Sequence, residues 1–369
     1  MGQPPFPPPP GAPLGMPPKR SNGALIAALV GGGLVVIILI AIVVVALAGG
    51  GKTPEQLLTA AAAKIDAARV VSYKGSVSGG GDTLNGELSV TKGARASGQV
   101  SWNGDDVTLL SADGKLYVKA DGTYWKRQTL SLNEPYFLGS GPQWGKLGTS
   151  KLTLDFKDLT PATLASKLRQ AARYKPKATE TTVSGRKAKR ISGVLGGTFY
   201  LSDSDDPELL RYESTLPRVS ADITARSGGD ASSEISEMRT RAGELKDSFD
   251  ASVRPMVAEY AKGLCQTNSS SCRVRGKVRM LSSSAESVKV EVRFRLTAGS
   301  STGRDLGNCT TDVTLRGSEG VWAECRVSGG AWSSWSRSGS RSYYQNADFK
   351  VSGASDTEIQ SLQNGLSQE

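Results

Sequence analysis

The nineteen residues Leu84–Trp102, LNGELSVTKGARASGQVSW, alternate small or apolar side chains with polar ones along nearly their whole length. A period of two sends successive side chains to opposite faces of a strand. Leu84, Gly86, Leu88 and Val90, then Ala94, Ala96, Gly98, Val100 and Trp102, therefore point one way. Asn85, Glu87, Ser89, Arg95, Ser97, Gln99 and Ser101 point the other. The pattern continues through Leu116, Val118 and Ala120, opposite Lys115 and Lys119. Asn103-Gly104, Asp113-Gly114 and Asp121-Gly122 supply the positive φ angles that tight hairpins need, and Asn85-Gly86 reads as a bulge inside a strand. The expectation is an antiparallel meander with one buried face and one wet face.

Working outward, the period changes to 3.6 on both sides. Thr53 as cap, Pro54 at the first turn, and Leu57, Leu58, Ala61 and Ile65 on one face predict a helix over 54–69. Thr160, Pro161, Leu164, Leu168 and Ala172 predict a second, over 160–174. Strands are expected again around Thr179–Val183, Arg190–Val194, Thr198–Leu201, Leu209–Ser214 and Ser220–Arg226.

Toward the N-terminus, Ala24–Ala48 is an uncharged apolar run. At about 1.5 Å per helical residue it is long enough for a ~30 Å hydrocarbon layer, so 23–48 is read as a transmembrane helix. Lys19 and Arg20 precede it and Lys52 follows, which puts the N-terminus in the cytoplasm and the rest outside a cell membrane crossed once. Ala46-Leu47-Ala48 offers a signal-cleavage site, but the run exceeds the usual length of roughly 7–15 residues for a secretory core. Residues 1–22, rich in Pro and Gly, cannot build a core and are read as a disordered tail, a spacer or a ligand for a proline-reading partner. Gly49-Gly50-Gly51-Lys52-Thr53 looks like the end of a phosphate loop, but the first glycine it requires would fall at Ala46 inside the span.

Composition narrows the chemistry. The chain has no His, which removes the commonest general base, Ser-His-Asp arrangements and the usual catalytic zinc ligation. No catalytic residues, metal or cofactor are expected, and the reading is that the protein is not an enzyme. The four cysteines, Cys265, Cys272, Cys309 and Cys325, lie on the outer side of the expected span, where two disulfides form readily. None lies near the span, which excludes a lipidated cysteine anchor. Cys309–Cys325 and Cys265–Cys272 are favoured among the three pairings because each closes a short loop. Asp203, Asp205 and Asp206 lack the Gly and distant Glu of a calcium loop and read as a polar turn.

The order helix, Gly-rich meander, helix, closing strands resembles the LolA-like half-barrel of bacterial envelope proteins, in particular the mycobacterial LppX/LprA/LprG lipoproteins. The likeness rests on Val71-Ser-Tyr-Lys-Gly75, Asp113-Gly-Lys-Leu-Tyr-Val118 with Trp125, Val183-Ser-Gly-Arg-Lys-Ala-Lys-Arg-Ile191, Phe199-Tyr-Leu201 and Pro207-Glu-Leu-Leu-Arg211. It covers about 54–226, and a domain over 53–226 is expected. In that family the sheet leaves an apolar cavity for acyl chains, which here implies a lining of Leu84, Leu88, Val90, Val100, Trp102, Leu109, Leu116 and Val118. Small residues at Ala94, Ala96, Gly98 and Ala120 leave room on that face.

Beyond a linker at 227–233, residues 234–351 are expected to form a second α+β domain, followed by a tail over 352–369. Ile235, Met238, Ala242, Leu245, Phe249, Val253, Val257 and Tyr260 fit one long helix over 234–263 with a kink at Pro255. Two strands then alternate strongly, Cys272–Met280 and Ser287–Leu296, with Arg273, Arg275, Lys277, Arg279, Lys289, Arg293 and Arg295 facing outward. From Cys272 to Arg341 there are twelve Lys and Arg against six Asp and Glu, so this surface is either a solvated face or a contact for anionic wall polymer or lipid headgroups. Nucleic acid is excluded for lack of aromatics among these charges. Cys309 and Cys325 are expected in one hairpin, and Trp332 and Trp335 as core or rim aromatics.

The sequence therefore points to an α+β membrane-anchored envelope protein, actinobacterial in type, binding a lipid or lipidated molecule. The other reading is a structural or sensory interaction protein with a filled half-barrel, contacting wall polymer or protein partners.

Overall fold

The computed structural model describes residues 52–129, 135–193, 197–262, 264–266, 268–281, 287–339 and 342–369. The expected tail and span at 1–22 and 23–48 lie outside the described residues. Among the described residues no helix is long and apolar enough to cross a membrane.

The chain runs α1 (Pro54–Ala67), β1 (Val70–Gly79), β2 (Asp82–Thr91), β3 (Ala96–Trp102), β4 (Asp105–Ala112), β5 (Lys115–Ala120), α2 (Gly122–Thr129) and β6 (Gln143–Leu147). After two short 3-10 turns come α3 (Pro161–Ala172), β7 (Ala178–Val183), β8 (Arg186–Ser192), β9 (Thr198–Ser202), β10 (Leu209–Thr215) and β11 (Arg218–Arg226). The rest is α4 (Gly228–Gly243), β12 (Phe249–Asp250), β13 (Pro255–Tyr260), β14 (Ser271–Met280), β15 (Val288–Ala298), β16 (Asp305–Leu315), β17 (Val321–Ser328), α5 (Gly330–Arg337), β18 (Tyr343–Val351) and α6 (Asp356–Ser367). The class is α+β.

Twelve strands make one sheet in the order β12-β6-β5-β4-β3-β2-β1-β11-β10-β9-β8-β7, antiparallel except for the parallel β6–β12 pair. The meander forms as its alternation requires, with Leu88 opposite Gly98 and Val100 opposite Gly86. At Gly98 and Gly86 a Cβ would come within 2.1 and 2.4 Å of a backbone carbonyl on the facing strand, so close strand approach demands glycine there. Ala94 departs from its expected inward place: it sits in the β2–β3 turn with φ of 63°. One sheet face carries α1, α3 and the main core. Thr53 caps α1 through the Gln56 amide in a full capping box, and Thr160 caps α3.

The other face is not wet throughout. Val70, Leu110, Ala112, Tyr117 and Trp144 bury against Ala231, Ile235, Met238 and Leu245 of the α4 region and Ile359, Leu362 and Leu366 of α6. Residues 227–233 therefore open a helix instead of forming a linker, and 352–369 ends in a packed helix instead of a tail. The polar alternation of the meander supplies the partners. Lys119 pairs with Glu244 at 2.8 Å, Arg95 with Glu369 at 2.5 Å, Lys115 with Glu358, and Arg241 donates to Ser97 Oγ.

The long helix expected over 234–263 also breaks. α4 stops at Gly243, Phe249–Asp250 adds to the sheet edge, and 255–260 pairs with β14 as a strand. The i, i+4 spacing of Phe249, Val253 and Val257 coincides with helix periodicity, but tertiary partners decide: Phe249 packs edge-on to Trp125 at 4.7 Å and lies 5.0 Å from Phe137.

The remaining strands form two three-stranded sheets, β13-β14-β17 and β16-β15-β18, which share one core containing Val274, Val278, Val292, Phe294, Trp332 and Trp335. Both expected disulfides are present. Cys309 and Cys325 are not paired in a hairpin, however: β16 and β17 belong to different sheets, and the bond staples the two layers at a Cα–Cα distance of 5.9 Å.

Two outcomes test this packing. Cys309→Ser with Cys325→Ser is expected to lower stability by about 3 kcal/mol, the chain-entropy value for a loop of that length, in urea unfolding under non-reducing conditions. Burial pushes the Glu358 carboxyl up, but hydrogen bonds from Lys115 and the Ser355 amide outweigh it and hold the group below its ordinary 4.5. That contribution is present above pH 4.5 and is lost as pH falls through the folded-state value, so the gap in urea midpoint between the native chain and Glu358→Gln is expected to shrink in acid.

Candidate functional site

The side chains expected to line a cavity, Leu84, Leu88 and Val90 of β2, Val100 and Trp102 of β3, Leu109 of β4, and Leu116 and Val118 of β5, do share one sheet face. Each is at most 6% exposed. They belong to one core with Leu57, Leu58 and Ile65 of α1 and with Leu152, Leu154, Phe156 and Leu159 from the segment before α3. Tyr73 ties that segment down by donating its hydroxyl to the Leu159 carbonyl at 2.7 Å. At the β6 end Trp125 fills the space over Gly145, where a Cβ would meet the ring at 2.5 Å.

An apolar pocket of about 130 Å³ opens elsewhere on the same core, between α3 and strands β9 and β10. Its floor is Ala171, Phe199 and Tyr212, and its rim includes Lys167, Tyr174 and Leu216. Phe199 and Tyr212 face each other across β9 and β10 and stack with ring centroids 5.2 Å apart at 19°. Gly193 and Gly197 keep the space open: a Cβ at Gly197 would lie 3.3 Å from Phe199 and 3.5 Å from Tyr212. The volume matches a ring or a few methylenes; a dry cavity of roughly 150 Å³ accepts benzene.

The helical period explains the pocket wall. Leu164, Ala165, Leu168 and Ala171 turn to the sheet, while Lys167, Gln170 and Tyr174 come to the mouth. Lys167 holds its ammonium 5.6 Å from the Tyr212 ring centroid. Desolvation lowers the Lys167 amine from its ordinary 10.5, against an opposing pull from Asp158. Burial raises the Tyr212 hydroxyl, opposed by the hydrogen bond with Ser214. Phe199-Tyr200-Leu201 was singled out by resemblance, but Tyr212, Ala171 and Leu216 were not; their signal was the cross-strand aromatic pair, visible only once register is known.

The seven basic candidates do not form one patch. Arg273, Arg275, Lys277 and Arg279 lie on β14, and Lys289, Arg293 and Arg295 on β15. These strands belong to the two sheets whose inner faces pack together, so the two sets point away from each other. Several are already engaged. Arg273 pairs with Glu324 at 3.3 Å, Arg275 lies over Trp322 at 4.6 Å, and Lys289 pairs with Asp312 at 2.8 Å. Arg293 covers the Tyr136 ring at 5.0 Å, and the Tyr136 hydroxyl donates to Glu291 at 2.7 Å.

Comparison with known proteins adds no family: no protein-family model matches the chain, and no curated protein is similar to it in sequence.

A lowered amine disfavours the charged form in the fold, so that penalty is present at low pH and is relieved as pH rises through the folded-state value toward 10.5. The urea midpoint of the native chain, relative to Lys167→Met, is therefore expected to rise with pH across the alkaline range.

Proposed function

We propose that this is a single-pass, extracytoplasmic cell-envelope protein, N-terminus in the cytoplasm, whose LolA-like half-barrel binds the acyl part of a lipid or lipidated molecule. The observation that carries the reading is the apolar pocket on Ala171, Phe199 and Tyr212, with an open mouth and a single ammonium, Lys167, on its rim. An apolar floor with polar groups at the opening, Lys167, Gln170, Ser214 and Thr215, suits a ligand with a hydrocarbon end and a polar or charged head. Within the pocket as it stands there is room for one chain end; deeper entry requires α3 to lift from the sheet, because Leu164, Leu168 and Leu201 occupy the space beneath. Binding without chemistry accords with the absence of His and of any recognisable nucleophile and base.

The second reading, an interaction protein with a filled half-barrel, is favoured by the burial of all eight meander side chains under the 152–159 segment. In that case the sheet is scaffold, and wall polymer or protein partners are met by the distal sheets.

The two part in native mass spectrometry with lipid extraction, on the full chain purified from its own membrane. The expected result is a co-purifying acyl species whose occupancy falls about tenfold in Ala171→Leu or Gly197→Val, the equivalent of roughly two buried methylenes. A bare native chain that stays bare after incubation with host lipids would overturn acyl binding and leave the second reading.

A further inference from the structure

The rim of the pocket carries more apolar and basic surface than a soluble-ligand site needs. Leu216 is 88% exposed and Tyr174 is 53% exposed, and both line the same mouth. Next to them in the chain are Arg173, Lys175 and Lys177, after the last turn of α3, and Arg218, two residues beyond Leu216, all exposed. None of these four forms an ion pair among the described residues. Two exposed apolar side chains with exposed cations beside them in the chain fit an interface that is hydrocarbon at its centre and phosphate at its edge.

The place of the chain's entry agrees. The expected span ends at Ala48, and residues 49–52 reach at most about 14 Å before the cap of α1 at Thr53. Glu55, in the first turn of α1, is held below its ordinary value by backbone and Thr53 hydrogen bonds and also by the charge of Lys175. The two helices pack along their lengths, and Asp66 pairs with Arg169 at 2.7 Å. With the span read as membrane-inserted, a tether that short limits how far the start of α1 can stand from the headgroup layer.

We propose that the pocket mouth is a docking face for an anionic bilayer, with Leu216 and Tyr174 entering the interface and Arg173, Lys175, Lys177 and Arg218 meeting lipid phosphates. The inference rests on the span and acyl-binding readings above and deepens them. The ligand is a membrane lipid with an anionic head, taken directly from the outer leaflet, its chain passing to Phe199 and Tyr212 while the headgroup stays among the cations.

The test places an environment-sensitive fluorophore at Thr215→Cys in the full chain, reconstituted into vesicles of phosphatidylcholine with or without phosphatidylglycerol. A label at Glu319→Cys, in the β16–β17 turn, serves as the reference. The expected result is a blue shift and quenching by spin-labelled lipid at position 215 only, stronger with phosphatidylglycerol. Leu216→Ser is expected to remove the shift. Arg173→Ser, Lys175→Ser and Lys177→Ser are expected to weaken the anionic preference by roughly fivefold each. Emission at 215 that matches the reference in both vesicles would overturn docking. Native mass spectrometry of the same preparations separates the two claims: bound acyl species with a water-exposed label refute docking alone, and a docked label on a lipid-free chain refutes acyl binding alone.

Discussion

Phe249 is the side chain on which the two parts of the described fold depend together. Its ring closes the main core against Trp125 and Phe137, and its backbone pairs with Gly145 in the one parallel contact of the large sheet among the described residues. Gly145 is small because Trp125 and Phe249 both come within 3 Å of where its Cβ would stand. The chain that leaves this anchor enters β13 of the next sheet within a few residues. Nearby, Tyr136 and Phe137 lie against Arg293 and Lys350 on the outer surface of the β16-β15-β18 sheet. One aromatic cluster thus sets where the second group of strands can begin, and it occupies part of the surface expected to meet anions.

Burial on both faces of the twelve-stranded sheet is the second constraint. α1 and α3 cover one face, and α4 and α6 cover part of the other. A strand buried on both faces must place polar groups only where a partner is supplied. Ser72 and Ser89 bond each other at 2.8 Å across β1 and β2, and Arg226 donates to Ser72 at 3.0 Å. Ser97 donates to the Leu109 carbonyl at 2.9 Å. The alternation that reads as a solvent face is in these places a row of buried hydrogen bonds and helix-docking ion pairs.

Legibility follows from the range of the forces involved. The meander, α1, α3 and both disulfides could be read because period, caps, Asx-Gly turns and short loops are local signals. The 234–263 stretch misled because Phe249, Val253 and Val257 keep helical spacing by coincidence, while their partners are Trp125, Phe137 and the strand ending at Met280, far away in sequence. α6 carries a local signal of its own, since Ser355-Asp-Thr-Glu358 is a full capping box ahead of Ile359, Leu362 and Leu366. The seven basic residues are divided between two surfaces for a topological reason, since alternation assigns charges to an outer face without saying that β14 and β15 belong to different sheets.

The same distinction bears on the pocket. Eight apolar residues on one face of adjacent strands are what a lipid cavity requires and equally what a core requires, so their pattern alone does not separate the two. What separates them is the opposing layer. Over the meander that layer is Leu152, Leu154, Phe156 and Leu159, large side chains that bury the strand residues beneath them, although a cleft of about 460 Å³ remains where Leu152, Leu154 and Phe156 meet Leu116. Over β9 and β10 it is Ala171 with Gly193 and Gly197, small residues that leave a pocket of about 130 Å³ beside the stacked Phe199 and Tyr212, which themselves stay 2% exposed. The small residues opposite the aromatic pair, more than the apolar strands themselves, are the feature that favours a ligand at this end of the sheet.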